Sequence, residues 1–436
     1  MRSRRGAISA MSTTDYQSLP RHVHGPEGLS SPRFRPISWT RTLVVLTAAF
    51  VVLAAASPAT GSLKTRLDRA LRVQGVSSSQ TGAIVYDLSL DAYVYRKNQA
   101  LALKPASNEK LPVAVTALSI LQPGYTIPTE LRAKGHQTGA VWNGKLILKG
   151  YGNPALSGSQ LGRLARAVEK KGITRVTGAI VGDETFFDKV RVGPGWKASF
   201  YKDECPPLSA LIVNRGHFKG QIASRPALAA AKTLRSKLVG LGIKVGGRAK
   251  LGRADPSSIP IATGQSPALR RLVRTMDRQS DNFYAETLTK LLGAVEADEG
   301  STSAGATVIR KELRSRDVPM RGVVISDGSG LSAHDRLTAR AVAKLLRSVL
   351  SDSQISNAFV DSLPTAGVNG TLFDRMKSGP AYRHVYAKTG TTDSASALSG
   401  FVRTRYVFAI LQNGNPIPWW YAREAQDRFA QVLAGQ

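Results

Sequence analysis

Ile84, Val85 and Tyr86, then Tyr93, Val94 and Tyr95, form two runs of β-forming residues around the polar stretch 87–92, the pattern of a hairpin. From Pro112 to Leu121 the chain is apolar almost all round, which predicts a buried helix. Pro112 lies deep for a first-turn proline, so an irregular start is expected. The stretch QPGY at 122–125 ends that helix. From about 126 to 262, short β-like runs such as KLILKGYGNPAL and LGIKVGGRAKLG alternate with two amphipathic helices, SGSQLGRLARAVEKKG and PALAAAKTLRSKLVGLG. Helical texture returns at Ser266 and continues through TSAGATVIRKELRSR and TARAVAKLLRSVLSD. Residues 384–414 read as strand, turn, strand, strand, and WYAREAQDRFAQVLAG reads as a closing helix. Strands early, helices in the middle and strands late predict an α/β sandwich whose first and last segments share one sheet. Residues 61–122 and 265–436 would form that domain, with 123–264 as a large inserted β-rich α+β region.

Composition adjusts this picture in three ways. A chain of 436 residues, 42% hydrophobic, supports a large core. Its single cysteine, Cys205, excludes an intramolecular disulfide framework and a Cys-based zinc site, and none of its six histidines pairs at the spacing of a zinc-peptidase helix. Thr42–Ala56 is an uncharged run of 15 residues, short for a membrane span and suited to the apolar region of a signal peptide. Residues 1–60 are therefore read as a signal peptide or membrane anchor with a basic N-terminal extension, and export is expected. Residues 1–56 carry seven arginines and two acids, so the net charge of +30 falls only to +25 without them. That excess suits an anionic wall polymer or membrane surface. It is equally the solvated surface of an arginine-rich chain. No zinc-finger or aromatic RNA-binding motif accompanies it, and no nucleic acid is expected.

The chemistry concentrates in three short motifs. Ser107 and Lys110 open the apolar helix one turn apart. A serine hydroxyl is a poor nucleophile until a base takes its proton, and a lysine depressed by burial supplies a free amine. The first turn of a helix also offers N–H groups to an oxyanion. Alone, the pair is equally an N-cap serine and a surface lysine. Ser280-Asp281-Asn282 follows 173 residues on, directly before a second apolar helix, and Lys388-Thr389-Gly390-Thr391-Thr392 follows another 108 residues on, at the end of one strand and the start of the next. S-x-x-K, S-x-N and K-T-G in this order are the motif set of penicillin-binding proteins and class A β-lactamases.

From about Leu63 onward the chain resembles the class C low-molecular-mass penicillin-binding proteins, the D-alanyl-D-alanine carboxypeptidase/endopeptidase family. The resemblance rests on PASNEKL, GNPAL, GITRVTGAIVGDETFFD, SDNFYAETL, DGSGLS, LPTAGVNGTL and KTGTTDSASALSGFV. It departs from common relatives at Asn153 and Ala333, neither a catalytic position. The resemblance implies a transpeptidase-like (serine β-lactamase-like) fold and a set of roles. Ser107 is the acylated nucleophile and Lys110 its base. Ser280 relays a proton to the leaving amine, and Asn282 holds the substrate amide and Lys110. Lys388 supplies positive potential, Thr389 binds the terminal carboxylate, and the N–H groups of Ser107 and Thr391 form the oxyanion hole. Gly390 lets the strand approach the substrate. Asp281 is left open as the middle position and can simply cap the helix, the Asp327–Gly330 stretch is a structural turn or, as the less favoured reading, a loop bordering the site, and His334 and His384 are structural. No metal or cofactor is called for. The expected substrates are peptidoglycan stem peptides, with β-lactam antibiotics as covalent inhibitors. Two rivals remain: a catalytically silent wall-binding protein on the same fold, and a Ser-Lys esterase or amidase.

Overall fold

A computed structural model describes residues 61–436. The apolar run 42–56 lies outside the described residues, and among those described no helix is long and apolar enough to cross a membrane.

Five antiparallel strands form the central sheet, in the order Val385–Thr392, Ala395–Val402, Tyr406–Asn413, Thr81–Asp87, Ala92–Lys97. The last and first parts of the chain therefore meet in one sheet, with Ile84 opposite Ala409 and Val85 opposite Phe408. Successive side chains point to opposite faces of a strand. One face carries Ala83, Val85, Leu398, Phe408 and Ile410 and packs on Leu67, Phe429 and Leu433 of the two terminal helices, Leu63–Ala70 and Trp419–Ala434. The other face carries Ile84, Tyr86, Ala397, Phe401 and Val407 and packs on Leu118, Leu288 and Leu346. Helices thus cover both faces, and for that reason Thr81–Asp87 and Ala395–Val402 are buried at every position. The molecule is an α/β sandwich with the sheet as its middle layer.

The helix that begins the chemistry, Lys110–Leu121, lies within the helical layer and is buried at all but two of its residues. A 3₁₀ turn, Ala106–Glu109, precedes it, so the helix starts two residues before Pro112. The expected irregular start is this turn: Ala106 has φ +47°, a left-handed conformation that few alanines adopt.

A second, seven-stranded mixed sheet is built from residues between Pro128 and Gln265. Its long hairpin, Pro128–Thr138 with Val141–Gly150, carries Leu131, Leu146 and Leu148 onto the helices Gly158–Glu169 and Pro226–Gly240. These contacts give it a hydrophobic cluster separate from those of the central sheet. Between its strands the segment 184–216 runs back over the helical layer. There Lys290 pairs with Asp188, and Trp196 Nε1 donates to Asp327 at 2.7 Å.

Candidate active site

Ser107 lies within the 3₁₀ turn and is not a helix cap, and Lys110 is not a surface lysine but fully buried. The Lys110 Nζ contacts Ser107 Oγ at 2.9 Å, Asn282 Oδ1 at 2.8 Å and the Ser329 carbonyl at 2.7 Å. Two of these partners, a carbonyl and an amide oxygen, can only accept. They take two N–H groups of the lysine. Asn282 is held in that orientation because its Nδ2 donates to the Glu204 carbonyl at 3.1 Å. The third position of the nitrogen therefore faces Ser107. In the ammonium form it is an N–H, and in the neutral amine it is the lone pair that can receive the serine proton. Burial pushes the Lys110 pKa down to about 8, against the opposing pull of Asp327 and Glu286.

The second motif lies at a break between two helices. Leu269–Gln279 ends at Ser280, which takes a left-handed φ of +56°, and Asn282–Glu296 begins two residues later. Asp281 caps the second helix by accepting from the Tyr284 N–H at 3.0 Å, and it also pairs with Arg215. The turn leaves Ser280 Oγ 2.9 Å from Lys388 Nζ. Lys388 is fully buried, and burial, then the neighbouring Lys110, lower its pKa.

The third motif lies wholly inside the Val385–Thr392 strand, and the turn falls later, at Asp393–Ser394. The sequence placed it at a strand end because its polar residues resemble a turn, but here they lie along an edge of the sheet. Ala387 N–H points outward from the sheet to the Pro364 carbonyl. Backbone direction alternates along a strand, so Thr389 and Thr391 present their N–H groups to the same outer edge. Gly390 is where that edge meets the Ser107 turn. A Cβ there would lie 2.8 Å from the Pro105 carbonyl and 3.1 Å from the Ser107 nitrogen. The glycine thus makes room for the serine turn.

Behind the lysine lies a shell of buried acids. Asp327 accepts from the N–H groups of Gly330 at 2.7 Å and Ser332 at 2.8 Å, and Glu286 accepts from those of Gly328 at 3.0 Å and Ser329 at 2.8 Å. These bonds fix the loop that aims the Ser329 carbonyl at Lys110. Glu109 is fully buried, and neither of its carboxylate oxygens has a hydrogen-bond partner among the described residues. Burial, and then the neighbouring Asp327 and Glu286, raise its pKa well above the usual range.

Ser107, Ser280, Thr371, Thr389, Thr391 and Arg423 line a cleft of about 450 Å³. A larger, open cavity of about 1110 Å³ lies beside it along the two terminal helices, but it contains none of Ser107, Lys110, Ser280 or Lys388. Among the described residues no group of three or more His, Cys, Asp or Glu side chains is arranged to hold a metal ion.

All eight residues singled out in the sequence come together here. The sequence missed three side chains, Glu204, Arg215 and Arg423. The Asp327–Gly330 loop, for which a structural turn was favoured over a site border, supplies the Ser329 carbonyl to Lys110. Glu204 and Arg215, from the inserted region, touch Asn282 and Asp281. Arg423, from the C-terminal helix, reaches Thr391. The DGSG string was the one legible signal. Glu204, Arg215 and Arg423 carry none, being ordinary charged residues in polar stretches.

A sandwiched antiparallel sheet, with a Ser-Lys pair opening a buried helix at its edge strand, defines the penicillin-binding class of serine hydrolases. The fold is similar to that of penicillin binding protein 4 from Haemophilus influenzae, at 21% identity over 85% of this chain and 98% of that one, with a TM-score of 0.75 for one crystal structure and 0.69 for a complex with a β-lactam. The sequence model of the D-Ala-D-Ala carboxypeptidase 3 (S13) family matches residues 63–225 and 220–435, and the chain belongs to that family. Among curated proteins it is similar to the D-alanyl-D-alanine carboxypeptidase of Actinomadura sp., at 27% identity over 85% of this chain and 84% of the relative. It is also similar to carboxypeptidase DacB of Mycolicibacterium smegmatis, at 29% identity over 88% and 86%.

Proposed function

We propose that this serine-type D-Ala-D-Ala carboxypeptidase cleaves the terminal D-alanine from peptidoglycan stem peptides through an ester on Ser107. The observation that carries the reading is the grip of two acceptors, Asn282 Oδ1 and the Ser329 carbonyl, on Lys110, which turns its third nitrogen position to Ser107 Oγ. The neutral amine takes the hydroxyl proton as Oγ attacks the penultimate D-Ala carbonyl. The new oxyanion lies between the N–H groups of Ser107 and Thr391. As the C–N bond breaks, the proton held by Lys110 returns through Ser280 to the leaving amine. Water then hydrolyses the ester. Asn282 holds the substrate amide and Lys110, the Lys388 cation beside Ser280 attracts the anionic peptide end, and the Thr389 hydroxyl binds its carboxylate. The same cleft takes D-Ala–diamino acid crosslinks, so the enzyme is also a DD-endopeptidase. β-Lactams acylate Ser107.

Peptidoglycan lies outside the cytoplasmic membrane, which places the enzyme in the periplasm or cell-wall space, with residues 1–60 as its export signal or anchor. Residues 61–122 and 265–436 act as the catalytic domain. Residues 123–264 are a separate inserted domain that walls the cleft and offers basic surface to anionic wall polymers.

The test combines a fluorescent penicillin with purified muropeptides. The wild-type chain is expected to take the label covalently and release free D-alanine, and Ser107→Ala to do neither. Labelling without D-alanine release would favour a Ser-Lys esterase or amidase. The absence of both would leave a silent wall-binding protein.

A further inference from the structure

Arg423 is a cation without an acid. It lies on the Trp419–Ala434 helix, half-buried, and its Nη2 donates to Thr391 Oγ1 at 3.2 Å. The carboxylates nearest to it along the helix are engaged elsewhere: Asp427 pairs with Arg375, and Glu424 with Arg428. No ion pair to Arg423 is formed among the described residues. Its guanidinium is not loose, because it stacks over the Trp419 ring with Cζ 4.4 Å from the centroid. Trp419 stacks in turn on Trp420. Burial and the nearby Arg375 both disfavour its charge.

A half-buried guanidinium with spare donors and no counter-ion among the described residues is an unfilled half of an ion pair. It lines the same cleft as Ser107, Ser280, Thr389 and Thr391. The peptide proposed to enter that cleft ends in a carboxylate one residue beyond the scissile bond. The hydroxyls of Thr389 and Thr391 lie on the strand that borders Ser107, and Thr389 Oγ1 is itself oriented by Thr371 Oγ1 at 2.7 Å. A carboxylate received by these two hydroxyls comes within reach of the Arg423 fork.

We propose that Arg423 is a specificity-determining residue: the cation that recognises the free C-terminal carboxylate of the substrate, acting with Thr389 and Thr391. The inference rests on the carboxypeptidase reading and deepens it by naming what selects a free peptide end. Trp419 is the platform that holds the guanidinium in place before substrate arrives, which spares the cost of ordering a long side chain on binding.

The experiment measures kcat/KM on two peptides that share an acyl-D-Ala-D-Ala sequence, one ending in the free acid and one in the neutral carboxamide. Wild type is expected to prefer the acid strongly. Arg423→Ala should lower kcat/KM on the acid by roughly 10- to 100-fold, the usual scale for losing a charge-assisted contact. The loss on the carboxamide should be at least about tenfold smaller, because no carboxylate is there to lose its partner. Arg423→Lys should restore part of the preference, since it keeps the charge without the fork. Equal losses on both peptides would make Arg423 a structural residue and overturn the proposal, as would an unchanged acid-to-amide ratio. A wild-type chain inert on both peptides and unlabelled by penicillin would remove the carboxypeptidase reading itself. An active wild type with an unmoved ratio removes only the role of Arg423.

Discussion

In the proposed mechanism Lys110 decides whether Ser107 is a nucleophile, and its environment works in two directions. Burial favours the neutral amine, while the acids behind it favour the ammonium. The balance at about 8 leaves the amine as the minority form at pH 7. The sign of the pH dependence follows. The active form is the deprotonated lysine, so kcat/KM for acylation by penicillin should climb about tenfold per pH unit below the Lys110 pKa and level off above it. Stopped-flow acylation from pH 6 to 9 measures this directly. A rate independent of pH between 6 and 8 would show that Lys110 is not the base.

At the scale of elements, the site depends on two close meetings. The first is that of the Val385–Thr392 strand and the Ser107 turn at Gly390. The atoms a Cβ would strike are mostly backbone, which cannot swing aside. Gly390→Ala should therefore push the strand outward and misplace Thr391 relative to Ser107. Acylation is expected to fall roughly 10- to 100-fold, the scale of a misplacement near one ångström, while the protein stays folded. Circular dichroism together with acylation rates separates the two effects, and a variant that acylates at the wild-type rate would contradict the contact. The second meeting joins the inserted region to the break between the two helices, through Arg215 on Asp281 and Glu204 on Asn282. Arg215 is about half exposed, so its pairing with the buried Asp281 is partly screened. Arg215→Ala should leave Asp281 without its cation and loosen the cap that orients Asn282. A loss in acylation rate of about tenfold is expected. Unchanged kinetics would confine the inserted region to the outside of the site.

At the scale of the whole molecule, the question is what happens after acylation. A peptidyl ester is small and leaves water an approach, whereas a β-lactam leaves a bulky adduct in a cleft of about 450 Å³. A β-lactamase overcomes this with a glutamate that holds the attacking water. Here three of the acids between the second and third motifs are committed behind or away from the site, and Asp374, which lines the cleft, pairs with Lys377. Glu286 and Asp327 accept backbone N–H groups of the loop behind Lys110, and Glu312 pairs with Arg316. Glu204 reaches towards the cleft from the inserted region, 3.5 Å from Asn282 Nδ2, with no described contact to Ser107. The penicilloyl enzyme should persist for hours after excess drug is removed, as followed by intact mass. Decay within seconds, with steady penicillin turnover, would make the protein a β-lactamase, and Glu204→Gln would then identify the group holding the water.

The layers of this protein were legible because periodicity is local. The run of β-forming residues at 84–86 and the all-round apolar run at 112–121 are each set by neighbouring residues, so strand, buried helix and closing helix follow from short windows of sequence. The three motifs were legible too, since their chemistry needs particular residue types at short spacings. What surrounds them was not. The lysine meets Asn282 and the Ser329 carbonyl from 172 and 219 residues away, and no period in the chain encodes such a contact. A carbonyl in particular leaves no mark on residue identity, because every residue has one. The position of the K-T-G motif inside its strand, the approach of Arg215 and Glu204, and the aim of Arg423 were likewise decided by packing. The sequence determined that a serine and a lysine stand one turn apart. Only the tertiary structure removed the water from that lysine, filled two of its hydrogen-bonding positions and left the third for the serine.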